Sequence, residues 1–146
     1  MKLPEIETQR EKIVNALRDK FEGEGYFVTR KILDYNELSG AQLPAIAITN
    51  GVETNSPAGM GDELEGLWDL HLGLYIKSFD LTPQDALDRY MGHVTRLLLA
   101  DPRLNETAED IDLIARDTDR GVYSPYAVGD LTYRIQYTFD RIEQGG

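Results

Sequence analysis

The sequence predicts an α+β fold: a mainly antiparallel sheet with two amphipathic helices packed on one of its faces. Two segments carry apolar residues at helical spacing, near 6–21 and 82–100. Two others alternate strictly between apolar and polar side chains, "LWDLHLGLYIKS" at 67–78 and "LTYRIQYTFDRI" at 131–142. The order reads helix, strand, strand, long strand, helix, strand, strand. Three adjacent strands followed by a helix and two more strands favour a sheet whose single apolar face the helices cover.

The first helix places Ile6, Ile13, Val14, Leu17 and Phe21 on one side, with charged residues between them. "EGEGYF" ends it, because Gly23 and Gly25 tolerate the left-handed backbone of helix termini. "YFVTRKIL" (26–33) is β-branched and aromatic and predicts a strand, and "DYNELSGAQ" a loop. In "LPAIAITNG" (43–51) Ile46 and Ile48 share a face of a short strand, with Pro44 near its start, where a missing N–H is tolerated. "NGVETNSPAGMGDELEG" has the glycines and small polar residues of a long excursion, expected to be mobile over 54–64 in a free subunit and ordered on assembly.

In the second helix Thr82 is placed to cap, Pro83 suits the first position and Asp85 sits near the positive end of the dipole. Leu87, Tyr90, Met91, Val94, Leu97 and Leu98 form its apolar stripe, and Asp101-Pro102 ends it. A strand near 111–116 and a turn-rich loop follow. The closing strand sets Leu131, Tyr133, Ile135, Tyr137 and Phe139 against Thr132, Arg134, Gln136, Thr138 and Asp140. No internal repeat or linker is visible, so residues 1–146 read as one domain.

Composition narrows the function classes. The chain has no cysteine, which excludes disulfide frameworks, thiolate metal sites and cysteine nucleophiles. Its start lacks the apolar run of a signal peptide and no stretch approaches the roughly 20 apolar residues of a membrane span, so a soluble intracellular protein is expected. A net charge of −11 argues against gripping phosphate backbones. Between Lys31 and Lys77 there is no Lys or Arg, while Asp34, Glu37, Glu53, Asp62, Glu63, Glu65 and Asp69 are acidic.

Along 67–78, Trp68, Leu70, Leu72, Leu74 and Ile76 share one face and Asp69, His71, Gly73, Tyr75 and Lys77 the other. The first face is core, and the second is expected to look away from the helices. An acid that orients an imidazole is half of a hydrolytic triad, so Asp69 and His71 are the catalytic candidates. Neither a Gly-x-Ser-x-Gly elbow nor a cysteine supplies the nucleophile, and a polar sheet face is the preferred reading. His71 and His93 are the only histidines and neither lies in a ligand-spaced cluster; His93 reads as a helix-flank residue. "DTDRG" (117–121) departs from a calcium loop, with glycine at its fifth place and Val128 where a bidentate glutamate belongs. "GMGDELEG" lacks the lysine and the strand-to-helix context of a phosphate loop.

Taken in order, the amphipathic helix "REKIVNALRDKF", the Pro-led strand "LPAIAI", the long strand "LWDLHLGLYIKS" after an acidic loop, the helix "ALDRYMGHVTRLLLADPRL" and the closing "YRIQYTF" resemble the tail terminator and tail-completion proteins of long-tailed bacteriophages, the lambda minor tail protein U among them. The resemblance covers most of residues 5–140 and is one of pattern and order, with no short invariant motif. It implies a non-enzymatic structural protein without catalytic, metal or cofactor residues. Its copies would form a hexameric ring that caps the tail tube, ends its polymerisation and presents the head-joining surface. The implied partners are further copies of the chain, the tail tube protein and a head connector or neck protein; genomic DNA passes without specific binding, and no membrane is involved. The implied location is the virion tail, assembled in the bacterial host cytoplasm. Another neck, head-completion or tail-tube protein is the alternative, and a small enzyme a more distant one. Candidate assembly contacts are Asp69, His71, Tyr75 and Arg134 on the polar sheet face, Met60 and Leu64 in the acidic loop, and Tyr123 and Tyr126 in the later one.

Overall fold

In the computed structural model, which describes residues 1–59, 61–120 and 124–141, the first helix, α1, runs Glu5–Gly23. It buries Ile13, Leu17 and Phe21 at helical spacing and ends where Gly25 adopts φ 92°, a value open to glycine. The second, α2 (Pro83–Leu99), starts as predicted: the Thr82 side chain accepts from the Asp85 N–H and Pro83 occupies the first turn. Leu87, Met91, Val94 and Leu98 are buried, with Tyr90 and Leu97 at the margin of the core.

Five strands, β1 (Phe27–Thr29), β2 (Ala45–Pro57), β3 (Glu63–Lys77), β4 (Asp110–Thr118) and β5 (Tyr126–Asp140), form one sheet in the order β1-β2-β3-β5-β4. Only β1 is parallel to its neighbour; the remaining pairs are antiparallel. Trp68, Leu70, Leu72, Leu74 and Ile76 of β3 lie at 2% exposure or less, opposite Ile46 and Ile48 of β2 and Leu131, Tyr133 and Ile135 of β5. Both helices cover this face.

Four local expectations are corrected. The 26–33 strand is three residues long, because only Phe27–Thr29 reaches the Ala45–Ala47 edge of β2. "DYNELSGAQ" contains a short 3-10 helix, Tyr35–Gly40, closed by reciprocal bonds between Asp34 and Glu37, a capping box. The excursion at 54–64 is largely a hairpin: Thr54–Pro57 pair with Leu67–Leu64, and the Ala58 N–H donates to the Glu63 carbonyl at 3.0 Å. The closing strand begins at Tyr126, five residues earlier than its alternation indicated, because Gly129 and Asp130 interrupt the apolar pattern while still pairing with β3.

The long hairpin carries a bulge. Asn50 stands opposite Leu70 and Glu53 opposite Trp68, so β2 spends one residue more than β3. The extra residue turns Glu53 onto the helix-covered face. Gly51 makes this approach possible, since a Cβ there would lie 2.6 Å from the Asp69 carbonyl oxygen.

Candidate assembly surface

The face of the sheet opposite α1 and α2 is where β3 and β5 set Asp69 across from Arg134 and His71 across from Thr132. The antiparallel register makes these cross-strand neighbours. Arg134 grips the Asp69 carboxylate with two bonds, Nε at 2.9 Å and Nη2 at 3.3 Å. The hydrogen bond from this pairing, reinforced by the negative charge of Asp69, pushes the Arg134 guanidinium above its ordinary range.

His71 is engaged elsewhere. Its Nδ1 lies 3.2 Å from Asp130 and 3.0 Å from the Thr132 hydroxyl, while Nε2 is turned towards Gly51. A relay needs the acid on one ring nitrogen and the hydroxyl on the other. Here both converge on Nδ1, so the three side chains form a polar cluster that lacks the relay arrangement. Asp69 and His71, the catalytic candidates set aside for a polar sheet face, do not pair: Arg134 holds the carboxylate.

Tyr75 corrects the expectation of an exposed aromatic. The 3-10 helix folds over this part of the outer face and builds a second small core from Leu38, Ala45, Ala47 and Tyr75, leaving Tyr75 4% exposed. Its hydroxyl accepts from the Leu33 N–H at 3.1 Å. Burial first, then the charges of Asp130, Asp34 and Glu37, push its phenol up, against the opposing hydrogen bond from Leu33. Leu64 is partly buried against the main core. Tyr126 packs on the second core with its ring 5.6 Å from Lys77 Nζ. Met60 and Tyr123 lie outside the described residues.

Two surface features were not singled out from the sequence. Phe79, just past β3, is 78% exposed, and Leu113 and Ile114 on the edge strand β4 are 38% and 44% exposed. The first was legible as an aromatic in the polar turn "KSFD"; the second was hidden, because an apolar pair within a strand reads as core. His93 is more engaged than a helix-flank residue: its ring stacks on Tyr26 at 5.7 Å and its Nδ1 lies 2.7 Å from the Tyr26 hydroxyl.

Among the described residues, no helix is long and apolar enough to cross a membrane. No group of three or more His, Asp or Glu side chains among them is placed to hold a metal ion.

No family model matches the chain, and no curated protein matches it. Among solved structures it is similar to a chain of the virion of a native gene transfer agent particle, at 9% identity and a TM-score of 0.40, over 88% of this chain and 91% of that one.

Proposed function

We propose that the protein is a structural component of a phage-like particle, a tail terminator. Its copies join head to tail in a hexameric ring that caps the tail tube, stops its growth and offers the surface for a head connector or neck protein. The observation that carries the reading is the order of elements along the chain, on which the resemblance to tail terminators rests. Geometry adds a second support. The side chains that could have been a hydrolytic site, Asp69, His71, Asp130 and Thr132, are taken up in pairing strands to one another.

A cap must meet unlike neighbours on its two sides, and a closed ring needs two different surfaces per subunit. An acidic subunit suits a ring through which DNA slides, since a negative lumen holds no phosphate. Tail length is the measurement that tests the reading. A phage lacking the protein is expected to make tails of irregular, often excessive length that do not join heads, and added protein to restore joining. Normal tails in its absence would overturn the reading in favour of a head-completion, neck or tube protein.

A further inference from the structure

We infer that Leu113 and Ile114 on β4 of one copy seat in the aromatic cleft around Phe79 of the next, and that this head-to-tail contact closes the ring. The inference rests on the ring reading and names its interface.

The receiving surface lies where the chain leaves β3. Phe79 stands between two clefts that share Lys77, Phe79 and Tyr90; Tyr126 lines one, and Leu81 and Arg89 line the other. Lys77 Nζ sits 5.0 Å from the Phe79 ring centroid, so the ring is held upright beside a cation. Phe79 is 78% exposed and adjoins clefts lined by Leu81, Tyr90 and Tyr126, so it extends an apolar surface with charges at its rim. Its rim carries Lys77 and Arg89 beside a single acid, Asp80, and so is net basic on a chain of net charge −11. The occupant is therefore acidic at its edges and apolar at its centre.

β4 has that composition. It is the edge of the sheet, and Ile111 is its one fully buried residue. Leu113 pairs with Tyr133 and Ala115 with Thr132, so Ile114 is the extra residue of a bulge. Asp110 and Asp112 precede the exposed Leu113–Ile114 pair. The strand's cation, Arg116, turns its Nη2 back to within 4.0 Å of the Met91 sulfur. Bulges and charges blunt an edge against strand pairing. β4 thus offers side chains and not backbone, which favours insertion into a cleft over extension of the sheet.

Charge also selects which surfaces meet. Two net-basic clefts facing each other repel, as do two acidic edges, so the contact sets cleft against edge. Cleft against edge is attractive, and a heterologous contact of this kind generates rings. Rim charges of this sort steer and register the contact, while the apolar centre supplies affinity.

The chain has no cysteine, so paired thiols report the contact cleanly. Purified protein carrying both Phe79→Cys and Ile114→Cys, treated with a short bis-maleimide, is expected to give a ladder of covalent multimers, and either single variant none. Cross-linked dimers from a single variant would overturn the inference. So would the absence of a ladder in a sample that sedimentation shows to be oligomeric, an outcome that leaves the ring reading standing. A chain that stays monomeric at every concentration and salt level would overturn both. Phe79→Glu and Ile114→Asp alter exposed positions and are expected to keep the native circular dichroism while weakening self-association at least ten-fold. Unchanged self-association of Phe79→Glu would overturn the inference and leave the cleft to a different protein.

Discussion

The Tyr137 hydroxyl donates a 2.7 Å hydrogen bond to Oε1 of Glu53, the carboxylate that the β2 bulge turns onto the helix-covered face. Arg10 of α1 donates to the same oxygen at 3.2 Å and holds its guanidinium 4.2 Å from the centre of the Trp68 ring. The cluster ties α1 to the far half of the hairpin. Burial, followed by the Glu53 contact, pushes the Tyr137 phenol far up. Tyr137→Phe deprives a buried carboxylate of a donor and is expected to cost about 1 to 3 kcal/mol. A lowered denaturant midpoint at unchanged slope is the readout.

Core packing makes the second prediction. Leu72 in mid-β3 and Leu98 in the last turn of α2 are 2% and 1% exposed in the same cluster. Replacing either by Ala is expected to cost about 2 to 5 kcal/mol, the usual range for emptying part of a close-packed core. Unchanged unfolding midpoints for both would contradict the assignment of the helix-covered face.

Gly66 tests the close approach of strands in the hairpin. A Cβ there would lie 2.7 Å from the Tyr137 ring and 3.2 Å from Glu53 Oε2. The ring is held by its bond to Glu53 and by packing on Trp68, with centroids 6.3 Å apart, and so is not free to yield. Gly66→Ala is expected to destabilise by about 1 to 3 kcal/mol, against the small gain that alanine brings to an open strand position.

Alkaline pH provides the fourth. Burial, then the proximity of Tyr90 and Glu24, pushes the Tyr26 phenol up to about 12. In the unfolded chain the group ionises near about 10. A pKa raised by folding contributes stability that is complete below the unfolded value and is lost as pH rises through the folded one. The contribution of Tyr26 is expected to be lost between about pH 10 and 12, most steeply midway, and Tyr26→Phe to show a shallower slope there. The slope is the readout, because the variant also loses the 2.7 Å contact with His93.

Periodicity and capping chemistry are local, and what depended on them was legible in the sequence. The stripes of α1 and α2, the Thr82 cap and the alternation of β3 and β5 each rest on residues a few positions apart, whose direction the backbone period decides. The same locality made the α+β class readable, since two amphipathic helices can bury their stripes only on an apolar sheet face. The box formed by Asp34 and Glu37 was equally local and could have been read from "DYNE".

What the tertiary structure decided were the pairings that join distant segments. Nothing near Asp69 in the chain indicates that Arg134, brought in by the β3–β5 register, would take its carboxylate and leave His71 to Asp130 and Thr132. Tyr75 looked free on the outer face until a 3-10 helix some forty residues earlier folded over it. The bulge at Asn50–Glu53 exists only as a mismatch between two strands, and it reverses which face each later β2 residue occupies. A strand's sequence specifies that its side chains alternate; which alternate face is core, which is covered and which stays open is set by the neighbours it acquires.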